Sequence, residues 1–295
     1  MVRHVMPIEI VPEEIAYKWL EAARSYEQTI ESGTIVGLSV SEYWEKIGFC
    51  YDFASRQALS LDDFKSLRHN SADSYKKAAM LYGNESLDAV GKNAQNLANA
   101  EYVLSWLAND CLEKMQALDK CRILTKEALK AFKEVGDEVK YGQTANLLSK
   151  CLIDRLYLSS AGDLDEISRE AIENSEDAIS VLSKLDQRDD LLIAFALASV
   201  QCLYIANLFG TEEMTKSMAS KSVTYSENAA KLSDQIGGPY DKAIVNWSSA
   251  LSSMFFNDVF ITAISLTNSI CAGQNSTDLC SLRLSTPSQT IYSPL

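Results

Sequence analysis

Along this chain, apolar and small residues recur at helical spacing in a repeated frame. The clearest copy is Trp44-x-x-Ile47-Gly48-x-x-Tyr51. The frame occurs upstream as Trp19-x-x-Ala22-Ala23-x-x-Tyr26 and downstream as Tyr75-x-x-Ala78-Ala79-x-x-Tyr82. Positions i, i+3, i+4 and i+7 share one helical face. The very small residue lets a second helix approach, and the flanking rings fill the space on either side. Nine residues are therefore expected to pack one helix on the next: Trp19, Ala23, Tyr26, Trp44, Gly48, Tyr51, Tyr75, Ala79 and Tyr82.

Start and stop signals divide the chain into helices. Pro12 followed by Glu13 and Glu14 opens a first helix, predicted to run to about Ser32 and to stop at Gly33. Ser41-Glu42 opens a second, to about Leu59, and Leu61-Asp62-Asp63 a third, to Gly83-Asn84. From Ser86 the pattern is helical through Met115. Val135, Leu185 and Ile236 then close alternate helices at spacings of 50 and 51 residues, each followed by Gly or Asp. The helices between carry weaker frames: Tyr141/Thr144/Ala145/Leu148, Phe195/Ala198/Ser199/Cys202 and Trp247/Ala250/Leu251/Met254. Each period thus holds an antiparallel helix pair. No stretch alternates with period two, so no strand is expected. Residues 1–11 read as a loose lead-in, 12–257 as a helical-repeat domain and 258–295 as a poorly ordered tail. From residue 272 the tail is rich in Ser, Thr and Gln, with only Asp278 and Arg283 charged.

The first-helix frame resembles the tetratricopeptide repeat. Trp44, Ile47, Gly48 and Tyr51 match positions where that motif has Trp, Leu, Gly and Tyr, and the Trp19 and Tyr75 copies match with Ala substitutions. Ser60 meets the motif's second-helix Ala position and Phe64 its aromatic, but Leu67 replaces a small residue and no Pro closes the unit. The period is also near fifty instead of about thirty-four. The chain is thus similar to divergent, long-helix members in the style of the soluble attachment proteins, firmly over residues 13–83 and diffusely to 256. The resemblance implies an all-α, right-handed solenoid of about five antiparallel hairpins. It implies protein or peptide binding on a concave face, and no catalytic residues. No binding residue is carried over, because the family's ligand-gripping Asn and Lys positions have no counterpart in this frame.

Composition narrows the partners. A formal charge of −13 and a pI near 4.7 disfavour nucleic acid and anionic membranes, and favour partners with basic segments. Twelve Gly and five Pro in 295 residues leave few breakers, in keeping with long helices. Seven scattered Cys without a CxxC pair point to a reducing, cytoplasmic setting, and residues 1–12 do not read as a signal peptide.

Two distant His, His4 and His69, offer neither a metal set nor a nucleophile–base pair. Cys111/Cys121 and Cys271/Cys280 lack further ligands. Gly237-Gly238-Pro239 reads as a helix stop, not a phosphate loop. The carboxylate clusters Asp62-Asp63, Asp163/Asp165/Glu166, Asp186/Asp189/Asp190 and Glu212-Glu213 stand at helix starts, where acids suit the dipole. No catalytic residue, cofactor or metal is expected.

The uncharged run Leu191–Gly210 has the length of a membrane span, yet acidic flanks, Gln201 and Asn207 favour a helix buried inside the repeat array. Trp247–Cys271 is also poor in charge, but its Ser, Thr and Asn speak more strongly against spanning. The expected function is a non-enzymatic interaction module or adaptor that holds a peptide or helix of a partner. The alternatives are a membrane-associated helical protein, or a regulator with a small-molecule or lipid pocket among Trp19, Trp44, Tyr51 and Tyr82.

Overall fold

The computed structural model describes residues 11–236, except 36, 161, 186, 210 and 211, together with 245, 246 and 248. The expected lead-in (Val11 apart), the expected tail 258–295 and the stretch Trp247–Cys271 (Ser248 apart) lie outside the described residues. Among those described, the chain forms ten helices and no strand, an all-α fold of packed helices. They are α1 (Pro12–Ile15), α2 (Trp19–Glu31), α3 (Val40–Arg56), α4 (Leu61–Tyr82), α5 (Leu87–Ser105), α6 (Cys111–Val135), α7 (Glu138–Leu158), α8 (Leu164–Leu182), α9 (Arg188–Phe209) and α10 (Glu212–Ile236). The chain divides into two compact units at Ala131–Phe132, within α6.

In the first unit α3 packs on both α2 and α4, and α4 packs on α5. Its first core joins Ala22, Ala23 and Tyr26 of α2 to Tyr43, Ile47, Cys50 and Tyr51 of α3, with Val11, Trp19 and Trp44 packed against it. Ala72 and Tyr75 of α4 meet Ala100 and Val103 of α5 in a second. In the second unit α7 pairs with α8 and α9 with α10, while α9 also packs on both α7 and α8. A core of Leu192, Ala196, Ala229 and Val245 lies where α9 meets α10. The stretch Leu191–Leu208 is therefore largely covered by protein: Leu192, Ala194, Val200, Leu203 and Ile205 are all buried. By length and composition alone α9 is also apolar enough to cross a membrane.

Three boundaries differ from the pattern. The single helix expected over 12–32 is broken at Ala16–Lys18, where Tyr17 takes a left-handed φ of 57°. Nothing in Ala-Tyr-Lys breaks a helix. The break follows from tertiary ties: Glu14 binds Lys46, Gln57 Nε2 donates to the Tyr17 carbonyl at 3.2 Å, and Trp19 packs on Phe53. The second helix starts two residues early, capped by Ser39 and not by Ser41. Ser39 Oγ accepts from Glu42 N at 3.3 Å, and Glu42 Oε2 accepts from Ser39 N at 2.7 Å, a reciprocal capping box. The helix expected over 86–115 is two, since Asp110 Oδ1 caps α6 through Glu113 N at 2.8 Å. The glycine stops stand: Gly83 (φ 66°) and Gly136 (φ 74°) take conformations that L side chains rarely adopt, just beyond α4 and α6.

Candidate interaction surfaces

The structure spreads the nine frame residues along three successive helix contacts. Ala23 and Tyr26 are buried beneath α3, and Trp19 lies half-buried at that contact's edge, its ring 4.9 Å from Phe53 and 5.6 Å from Phe49. Tyr51 donates its hydroxyl to Glu27 at 2.9 Å. Gly48 meets Tyr75 across the α3–α4 contact, where a Cβ on Gly48 would stand 2.9 Å from two ring carbons. Ser71 Oγ also donates to the Gly48 carbonyl at 2.7 Å, so side chains of α4 pack directly on the α3 backbone at this glycine. Trp44 is half-buried beneath the Lys77 ammonium, 4.1 Å from its ring. Ala79 is buried, and Tyr82 donates to Glu45 at 2.9 Å. These rings are distributed through packing contacts. Trp19, Trp44 and Tyr51 belong to the first core, and Tyr82 lies outside it.

Burial raises the Tyr26, Tyr51, Tyr75 and Tyr82 phenols well above the usual tyrosine range, helped by carboxylates at Glu14, Glu27, Asp52 and Glu45 respectively. Burial likewise pushes the Cys50 and Cys202 thiols up to about 12. These thiols pack as small apolar groups and are poor nucleophiles.

The residues alone do not reveal a charged assembly in the first unit. Asp52 binds Arg56 at 2.7 Å, one turn away, and also Arg68 of α4. Arg68 is 4% exposed. Its guanidinium lies over Phe64 and Trp106, and Lys114 approaches the same Trp106 ring at 4.8 Å. Only the Asp52/Arg56 spacing, i and i+4, was legible in advance. Arg68 comes from a different helix, and its burial depends on how α4 is rotated.

In the second unit a polar knot ties three helices. Gln201 of α9 donates to the Ser149 carbonyl of α7 at 3.1 Å and accepts from Ser175 of α8. Asn174 of α8 donates to Ser149 Oγ at 2.8 Å and to the Ala145 carbonyl at 2.9 Å. Asp190, in the first turn of α9, accepts from Gln143 Nε2 at 3.0 Å. Burial raises its carboxyl above the usual range, and that hydrogen bond opposes the rise. Gly142 faces Leu182, which a Cβ would meet at 2.3 Å, so α7 and α8 also touch through a glycine.

The outward side of the same unit is acidic. α8 exposes Asp165, Glu166, Glu173, Glu176 and Asp177, with Arg169 as the single basic residue in its sequence. Glu176 reaches Lys221 of α10 at 2.9 Å, and Asp177 accepts from Tyr141 of α7. These two ties brace α8, on which Glu166 and Glu173, seven residues apart and so on one face, are also exposed. Among the described residues no group of three or more His, Cys, Asp or Glu is placed to hold a metal ion.

The fold and its surfaces define an all-α protein of packed helices, an architecture compatible with helical repeats. Neither a protein-family model nor a curated protein sequence matches the chain.

Proposed function

We propose that the chain is a tetratricopeptide-like solenoid that serves as a non-enzymatic adaptor, and that α8 presents its acidic face to a partner carrying a basic segment. One observation carries this reading. Five exposed carboxylates lie on a helix whose opposite face is locked to its neighbours, so the charges are displayed at little conformational cost. Two further points support it. The packing of α9 on both α7 and α8 is what serial stacking of hairpins requires, and the fifty-residue spacing supplies the repeat. The mechanism is electrostatic and steric. Charge complementarity speeds and orients encounter, and the packed helices keep the surface rigid.

The test uses the full chain as bait, with Glu166→Lys/Glu173→Lys as the comparison. A partner captured by the wild type, released by raising salt from 50 to about 500 mM and lost on the double variant supports the reading. Capture that is indifferent to salt and to the variant refutes it.

A further inference from the structure

The first unit carries a segment that is held from outside itself. α1 has four residues, too few to persist as a helix on its own. It connects to α2 through Ala16, Tyr17 and Lys18, all exposed. Tyr17 holds φ at 57°, a conformation that is costly for a bulky side chain. What keeps α1 down converges on one side chain. Both carboxylate oxygens of Glu14 lie 3.2 Å from Lys46 Nζ on α3, and Tyr26 of α2 donates its hydroxyl to the same carboxylate. The backbone adds a long hydrogen bond from Val11 N to Tyr26 Oη at 3.4 Å, and Val11 packs on the core edge. The hinge is anchored separately, through Gln57 Nε2 to the Tyr17 carbonyl. Against the latch lies Tyr26, 1% exposed, and in the same core Cys50 is wholly buried, one turn beyond Lys46 on α3.

We propose that residues 11–16 form a releasable strap. It pivots at Tyr17, is latched by Glu14 onto Lys46 and Tyr26, and on opening uncovers the Tyr26–Lys46–Cys50 side of the α2–α3 hairpin. The device combines a strained pivot that favours opening with a charge-assisted latch that favours closure, so the loss of one carboxylate shifts its balance. It does not depend on the adaptor reading or on any partner.

The experiment is alkylation of the native full-length chain by iodoacetamide, with each site read by peptide mass mapping. Cys121, Cys151 and Cys202 are free, buried thiols far along the chain and serve as internal controls. Glu14→Ala removes the latch carboxylate, and Lys46→Met removes its cation while keeping most of the side-chain volume. Cys50 is expected to react about ten- to a hundred-fold faster in Glu14→Ala than in the wild type, the effect of one charge-assisted hydrogen bond on an opening equilibrium. A smaller rise is expected in Lys46→Met, with the three control thiols unchanged in both. The proposal is overturned if Cys50 reacts at the wild-type rate in both variants. It is equally overturned if all four thiols accelerate together, which would show general loosening in place of a local strap. Hydrogen exchange on the wild type supplies a measurement free of substitutions. The Lys18 amide, bonded to the Glu13 carbonyl at 2.8 Å, should exchange faster than the amides of α3 around Ile47. Equal protection of the two would also overturn the strap.

Discussion

Gly48→Ala tests the closest helix approach in the first unit. The added methyl would stand 2.9 Å from Cδ1 and Cγ and 3.0 Å from Cε1 of Tyr75, well inside ordinary carbon contact. The ring has nowhere to go. Tyr75 is 6% exposed and shares a core with Ala72, Ala100 and Val103, and the atoms met include Cγ at the root of the ring. Relief must come from parting α3 and α4, which stretches the 2.7 Å hydrogen bond from Ser71 to the Gly48 carbonyl. Overpacking of this kind costs about 1–3 kcal/mol. Replacing a helical glycine by alanine returns about 1 kcal/mol of propensity. The net loss should be about 1 kcal/mol for Gly48→Ala, and larger for Gly48→Leu, which adds three more carbons at the same point. Urea unfolding followed by tryptophan fluorescence reads this unit, which contains Trp19, Trp44 and Trp106. Tyr75→Ala gives the decisive comparison. With the ring gone the methyl fits, and Gly48→Ala should then stabilise by up to about 1 kcal/mol, a coupling of about 1–3 kcal/mol across the cycle. If Gly48→Ala stabilises the wild type, or shows no coupling to Tyr75, the close approach is not what selects glycine here.

Two further predictions concern the second unit. Gln201→Leu removes the acceptor for Ser175 and the donor to Ser149 in a fully packed setting, and should cost about 1–3 kcal/mol in urea unfolding followed by circular dichroism; an unchanged midpoint would mean that the knot adds no stability. Asp190→Asn should make the protein more stable near neutral pH, because burial raises the native carboxyl above its unfolded value, so the wild type's relative stability is full below about pH 4 and falls as pH rises through the native pKa. The advantage of the Asn variant should therefore shrink on acidification toward pH 4, and a wild type that gains on the variant with rising pH would contradict the assignment.

Helix existence was legible along most of the described chain, since a 3.6-residue rhythm with few breakers leaves little else to form. The ends that depend on local chemistry were legible too. Gly83 and Gly136 stop helices because only glycine adopts their backbone cheaply. Ends that depend on distant residues were not. Tyr17 breaks a helix only because Glu14, Gln57 and Phe53 hold the chain on either side of it, from 32 to 40 residues away in two of those ties. Asp110, by contrast, is readable as a cap from the Glu three residues on, but the apolar residues that continue through Trp106 and Leu107 mask the break. Gly48 stood out because Trp and Tyr flank it at helical spacing. Gly142, which makes the tighter approach, lies one residue outside the corresponding frame beginning at Tyr141, so the frame pointed past it.

The apolar run in α9 shows where composition stops being informative. A helix surrounded by other helices and a helix surrounded by lipid both lack water on every side, so both read as twenty uncharged residues. The two differ in where polar side chains find partners. Asn207 donates to its own helix, at the Leu203 carbonyl 2.8 Å away, as it would in either surrounding. Gln201 does not. Its amide donates to α7 and its carbonyl accepts from α8, and Ser199 two residues earlier donates to the Ser222 carbonyl of α10 at 2.9 Å. Two polar side chains within one turn thus reach three different neighbours, which fixes the rotation of α9 as well as its burial. A one-residue change in its register would leave Ser199 and Gln201 facing apolar surface, at the desolvation cost of each. The polar interruptions in the run therefore act as its registration marks within this unit.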